Sequence, residues 1–167
     1  MIDFLVVHED GRPLTYTVED LNRYHGFGFP GGVAHAFKVM QRALPLLSPD
    51  APAERREITV RTPFKGQGGR DAFEMVTRAT TEGRYTIDDG LLALERGEIL
   101  KGYVFVLGYR GRQVKLIIRE GIVREEFILL GRKPDRTPEE DQHLAWLKQD
   151  MAERLLRLPA DEVYDPA

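Results

Sequence analysis

The sequence predicts an α+β fold: a mixed or antiparallel sheet with helices packed on one face, and a long helix near the end of the chain. Apolar residues recur at three- and four-residue steps early in the chain and again near its end, which is typical of helices with one buried face. Alternating and continuous apolar runs lie between them and indicate strands. The 167 residues fit one domain with a single core.

The first half of the chain is predicted to hold two strands and three helices. A β-branched run before the turn at Asp10 and Gly11 indicates the first strand. Thr17 is a suitable N-cap for a short helix that ends near Gly26, and Asp20 occupies the capping-box position. The predicted elements are a strand at 2–8, a short helix after Thr17, a helix at 32–47, a loop at 48–53, a strand at 57–62, a loop at 63–69 and a helix at 71–80.

The second half is predicted to hold a β-hairpin and the long helix. An apolar run at 102–108 and an alternating run at 113–119 flank a glycine-containing turn. Thr137 caps the final helix, with Pro138 at its first position and acidic residues after it. Segment 122–130 is predicted as a further strand, segment 91–100 is left open between strand, turn and short helix, and the tail after Pro159 is expected to be extended.

Composition excludes several classes of protein. The chain has no cysteine, so disulfides, thiolate nucleophiles, iron–sulfur clusters and cysteine-ligated zinc are excluded. A net charge of −3 argues against a general nucleic-acid binder. No segment has the roughly 18 apolar residues of a membrane span, and no signal peptide is visible, so a cytoplasmic location is expected. We predict no cofactor and no bound metal.

Two glycine-rich loops that lead into helices are the most informative feature. The first, at 24–32 (YHGFGFPGG), contains His25, Gly26, Gly28 and Gly31. The second, at 65–71, is built of Lys65, Gly66, Gln67, Gly68, Gly69, Arg70 and Asp71. Backbone N–H groups at helix N-termini bind anions, and two basic side chains of the second loop add positive charge. A tight turn alone also explains the glycines, so both interpretations stay open.

These loops carry a resemblance to a known family. Segment 25–31 (HGFGFPG), followed by an apolar helix, is similar to the opening motif of the formylmethanofuran dehydrogenase E-subunit family, which typically reads His-Gly-His-x-Cys-Pro-Gly. Segment 68–72 (GGRDA) resembles the family's Cys-Gly-x-Asp-Ala, and segment 155–164 (LLRLPADEVY) is similar to its helix end and tail. The order of the elements matches as well. The resemblance covers most of the chain and implies a homodimer, for which the apolar hairpin is a candidate interface.

The chain departs from this family at the presumed metal ligands. Phe27 stands where the family has a second His, and Phe29 and Gly68 stand where it has Cys. His25 is the one ligand retained, whereas stable transition-metal sites usually take three or four protein ligands. The family's metal site is therefore predicted to be absent, and its methanofuran chemistry does not carry over.

Three functional hypotheses follow. The first is a protein that binds a small anionic ligand between the two loops. The second is a metal-independent enzyme with His25 as acid or base and Asp71 or Lys65 nearby. The third is a structural or interaction subunit in which His25 only holds its loop. In a minor alternative His35 shares a metal with His25 and Asp71. Whether the chain catalyses a reaction is left open.

Overall fold

The computed structural model describes residues 4–167 and contains six α-helices and seven strands. This confirms the α+β class and the long C-terminal helix. The helices are α1 Val18–His25, α2 Pro30–Leu47, α3 Gln67–Thr77, α4 Gly97–Leu100, α5 Glu125–Arg132 and α6 Pro138–Arg157. The strands are β1 Phe4–Glu9, β2 Arg12–Thr17, β3 Thr59–Thr62, β4 Tyr85–Ile87, β5 Val104–Tyr109, β6 Arg112–Ile118 and β7 Tyr164–Pro166.

The strands form two sheets. β1 and β2 make an antiparallel hairpin by themselves. The other five lie in the order β4-β3-β5-β6-β7, with β3 and β4 parallel and the remaining pairs antiparallel, so the larger sheet is mixed. The short strand β7 brings the end of the chain back to the sheet beside β6. The tail that the sequence predicted as extended is therefore partly a strand.

Helix α2 lies at the centre of the molecule. Twelve of its eighteen residues are buried, and it contacts α1, α3 and α6 as well as β1, β5, β6 and β7. Helices α3 and α6 flank it, which places α2 between two helices and the sheet. A helix that is apolar over most of its surface is typical of such a buried position. The starts of α2 and α3 meet, and this contact positions the two glycine-rich loops.

Several sequence predictions differ from the structure. The prediction of a strand at 122–130 is wrong, because residues from Glu125 onwards form α5. The first turn of this helix is acidic, and its apolar residues are half-buried or, at Leu129, exposed. Helices α2 and α3 begin earlier than predicted, at Pro30 and Gln67. Proline fits the first helical position because its missing N–H would have no partner there. Strands β2 and β4 were not predicted, and residues 2 and 3 of the predicted first strand lie outside the described residues.

The undecided segment 91–100 contains the last residue of one 3-10 helix, a second 3-10 helix at Leu94–Arg96 and α4, so the helical alternative holds. The predicted hairpin is confirmed as β5 and β6, with Val104 opposite Ile117 and Tyr109 opposite Arg112. Every residue of β5 is buried within the chain itself. This strand therefore contributes to the core and offers little apolar surface to a second protomer. In the part of the chain that the structure describes, no helix is long and apolar enough to cross a membrane.

Candidate functional site

A hydrogen bond between His25 and Asp71 joins the two glycine-rich loops. His25 is the last residue of α1, and its Nδ1 lies 2.8 Å from Oδ2 of Asp71 in α3. The backbone N–H of Phe29 donates to Nε2 of the same ring at 3.2 Å. Since Nε2 accepts this bond, the ring proton lies on Nδ1 and is donated to the carboxylate. Both ring nitrogens therefore hold the α1–α2 loop in place. We call residues 25–33 and 66–71 together the loop junction.

Glycines allow the backbones of the loop junction to touch. A Cβ added to Gly68 would lie 2.4 Å from the carbonyl oxygen of Phe29 and 3.1 Å from the N atom of Val33. A Cβ added to Gly32 would lie 3.0 Å from the N atom of Gly69. These neighbours are backbone atoms of two helices, which cannot turn aside as a side chain can. Close packing therefore accounts for Gly68 and Gly32. A left-handed backbone accounts for Gly26, whose φ is +92°.

The two helices that meet at the loop junction start without local caps. Neither α2 nor α3 has a side-chain cap or an acidic residue in its first turn. Within residues 4–167, five N–H groups at these starts donate no hydrogen bond, those of Gly31, Gly32, Gln67, Gly68 and Gly69. Two helix N-termini thus direct their positive ends to one region, while Gln67 is exposed and Gly32 is partly so.

The basic side chains of the second loop contact acids at the surface. Nζ of Lys65 lies 3.2 Å from Asp89, and Nε of Arg70 lies 3.9 Å from Asp71. The side chains of Lys65 and Arg70 are more than half exposed. Exposed ion pairs of this kind contribute about 0–1 kcal/mol, so an incoming anion can replace either acid at little cost.

Two exposed aromatic rings lie in the first loop of the loop junction, and one of them contacts α6. Phe27 is 91% exposed and Phe29 is 42% exposed. The ammonium of Lys148 lies 4.5 Å from the centre of the Phe29 ring, and its Nζ lies 3.4 Å from the carbonyl oxygen of Gly28. The sequence gives no indication that Lys148 contacts the first loop, because Lys148 lies 120 residues after Gly28, in α6.

His35 is separate from the loop junction. It lies inside α2, where its Nδ1 is 2.9 Å from the hydroxyl of Tyr164 and its Nε2 is 3.2 Å from the sulfur of Met151. Burial lowers the pKa of His35 to about 3, so the ring is neutral at ordinary pH. Its partners are a phenol and a thioether, and the hypothesis of a metal shared with His25 and Asp71 gains no support. Among the residues that the structure describes, no three His, Asp or Glu side chains are grouped so that they could hold a metal ion.

Two grooves of about 410 and 310 Å³ lie elsewhere on the molecule, and no residue of the loop junction lines either of them. An anion at the loop junction would therefore lie at the surface, against the exposed ends of the two helices.

Comparison of the chain with models of protein families and with curated proteins finds no match.

Proposed function

We propose that this chain is a divergent member of the formylmethanofuran dehydrogenase E-subunit family that binds a small anionic ligand and lacks the family's metal site. The ligand-binding residues proposed are Gly26, Gly28, Gly31, Lys65, Gly66, Gly68, Gly69, Arg70 and Asp71, and His25 is the candidate catalytic residue. The observation that carries the proposal is the meeting of two helix N-termini that have neither caps nor acids. Their unused N–H groups and partial positive charges favour an anion.

A second feature supports a binding role over a metal-dependent one. The family's ligand positions hold Phe27, Phe29 and Gly68, and Gly68 packs directly on backbone. A metal-ligating side chain at position 68 would need space that the carbonyl oxygen of Phe29 occupies. The loop junction is thus arranged around backbone contact, and the chemistry it retains is that of N–H donors and nearby cations.

Amide NMR during a titration with inorganic phosphate tests the proposal. We expect saturable shifts at Gly32, Gln67, Gly69 and Arg70, together with smaller shifts in the rest of α3. The substitution Gln67→Glu places a carboxylate in the first turn of α3 and should weaken phosphate binding by about fivefold or more, since charges at a helix start contribute about 0.3–1 kcal/mol each and here also repel the ligand.

The matched control is Gln142→Glu, which adds the same charge to the already acidic start of α6. It should leave phosphate binding unchanged. Shifts that are spread over the whole surface, or that are equal in both variants, would show general ionic strength effects and would overturn the proposal.

A second candidate is acid–base catalysis by His25, favoured by the 2.8 Å contact with Asp71. An aspartate that accepts the Nδ1 proton orients a histidine so that Nε2 can take a proton from a substrate. Here the N–H of Phe29 occupies Nε2, so the loop must move before the ring can act. Hydrolysis of p-nitrophenyl acetate that disappears in both His25→Gln and Asp71→Asn would favour this candidate, provided that circular dichroism shows both variants to be folded.

The family resemblance also leads us to propose a homodimer. The buried strand β5 is a poor interface, whereas Phe27 is almost fully exposed at the tip of a held loop. Large exposed aromatic residues are enriched at the centres of protein interfaces. Sedimentation equilibrium of the protein and of Phe27→Ser tests this, because loss of dimer in the variant would place the interface at this loop.

A further inference from the structure

The groove of about 410 Å³ lies between strand β1 and the proline-rich loop at 48–53. Its volume falls within the range of about 300–1,000 Å³ that is common for small-ligand sites. Apolar side chains form most of its wall, among them Met40 and Leu44 of α2 and Pro49 and Pro52 of the loop. The groove is remote from the loop junction, and the proposed function makes no use of it.

One side of this groove is a strand edge with unused backbone groups. β1 pairs with β2 along one edge, in a register that places His8 opposite Pro13. The N–H of His8 points away from β2, because it donates to the carbonyl oxygen of Ala53 at 2.8 Å. Outward and inward positions alternate along a strand, so the N–H and C=O groups of Val6 also point away from β2. Pro13 fits the same alternation, since its missing N–H would face the outer edge of β2.

The loop begins to pair with this edge but does not continue. His8 and Glu54 form a single parallel bridge, and beyond it the loop separates from β1. Pro49 and Pro52 have no N–H, so they cannot supply donors to the edge. Hydrogen-bonding groups at Val6 therefore face the groove, and the described residues provide no strand that covers them. The edge also lacks the lysine or proline that usually protects an exposed strand.

The groove has one charged residue among its described lining residues, Asp50. Asp50 forms no ion pair or hydrogen bond through its carboxylate within residues 4–167. An apolar groove with a strand edge on one side and one free carboxylate matches an extended apolar peptide that carries a positive charge. Main-chain hydrogen bonds would supply affinity, and side-chain pockets and charge would supply specificity.

We propose that this groove binds an extended, apolar peptide segment with one cationic residue, by addition of a strand to the outer edge of β1 at Val6. The peptide main chain would exchange hydrogen bonds with Val6, its apolar side chains would contact Met40 and Leu44, and its cationic group would lie near Asp50.

Binding of a fluorescein-labelled peptide KVTVTV to the full chain, followed by fluorescence anisotropy, tests the proposal. Two further peptides carry N-methyl groups on the valines or on the threonines, which blocks one or the other edge of the extended peptide. We expect one methylated peptide to bind like the parent and the other to bind at least about tenfold more weakly, since it loses one or two hydrogen bonds. Equal binding of the two, or no binding at about 1 mM, overturns the proposal.

Charge and position are tested separately. The parent peptide should bind better than EVTVTV, and Asp50→Lys should reverse this preference. Glu120→Lys makes the same charge change in an exposed turn outside the groove and should keep the original preference. Hydrogen exchange at the Val6 amide should slow when the peptide is bound. The proposal would be contradicted if hydrogen exchange at Val6 stayed unchanged when the protein is saturated with peptide. It would also be contradicted if self-association of the protein without peptide protected Val6.

Discussion

Helices α1 and α6 begin very differently from helices α2 and α3. The side chains of Thr17 and Thr137 each accept a hydrogen bond from an N–H of the first turn. The carboxylates of Asp20 and Glu140 in turn accept a hydrogen bond from the backbone N–H of the cap residue. Both starts also carry acidic residues that suit the positive end of a helix. The starts of α2 and α3 have no side-chain cap and no acidic residue in the first turn. Their glycines allow the two helix starts to pack closely, most closely at Gly68.

The two kinds of helix start are stabilised in different ways, one by local hydrogen bonds and the other by tertiary contacts. A capping box closes within four residues, so it stabilises its helix wherever that helix lies. The starts of α2 and α3 depend instead on contact with each other and on the His25–Asp71 hydrogen bond, whose partners are 46 residues apart. Helix starts that leave N–H groups unused are also the ones able to receive a ligand. The proposed binding region therefore lies at the loop junction, because N–H groups of the capped helix starts already have side-chain partners.

The largest effect is expected from Gly68→Ala. The added Cβ would lie 2.4 Å from a backbone oxygen, so α2 and α3 must separate. We expect the free energy of unfolding to fall by about 3 kcal/mol, the upper range for overpacked sites. Urea denaturation measures the change. Gly131→Ala in α5, where a Cβ meets nothing within 4 Å, should stabilise by about 0.5–1 kcal/mol. A loss below about 0.5 kcal/mol for Gly68→Ala would mean that the junction is loosely packed.

The second-largest effect is expected from the pH dependence of stability at His35. This residue of α2 is neutral because the surrounding tertiary structure buries it. Burial lowers its pKa to about 3, whereas in the unfolded chain it takes up a proton below about pH 6.5. Between these values the unfolded state binds more protons, so stability falls as pH falls. At pH 5 the loss is about 2 kcal/mol relative to neutral pH.

Denaturation at pH 7 and pH 5 of the protein and of His35→Gln measures this contribution. The pH-dependent loss should be about 2 kcal/mol smaller in the variant, whatever its stability at pH 7. Thr80→Ala is the control, since it changes an exposed residue without a titratable group and should leave the pH dependence as it is. Identical pH dependence in all three proteins would contradict a buried neutral His35.

The smallest effect is expected at a capped start. Thr137→Ala removes the acceptor for the N–H of Glu140 and should lower the free energy of unfolding by about 1 kcal/mol. Thr80→Ala, at an exposed position after α3, should change it by less than about 0.5 kcal/mol. If the two substitutions cost the same, the capping box contributes little to α6, and local capping would not distinguish the two kinds of helix start.

Local signals predicted several parts of the fold that short segments stabilise, although the β1–β2 hairpin, which is also local, was missed. The caps at Thr17 and Thr137 and the β5–β6 hairpin follow from residues that lie close together in the sequence. Segment 122–130 misled because a short apolar run fits either a strand or a half-buried helix, and the choice depends on what packs against it.

For the candidate site, the sequence determined the two glycine-rich loops, the histidine in the first and the aspartate in the second. It did not determine that His25 and Asp71 form a hydrogen bond, that Gly68 touches Phe29, or that Lys148 lies over an aromatic ring. Each of these contacts joins residues that are far apart in the sequence. Their geometry depends on how α1, α2, α3 and α6 pack on one another, because a residue pattern specifies which face of a helix is buried but not which distant backbone it meets.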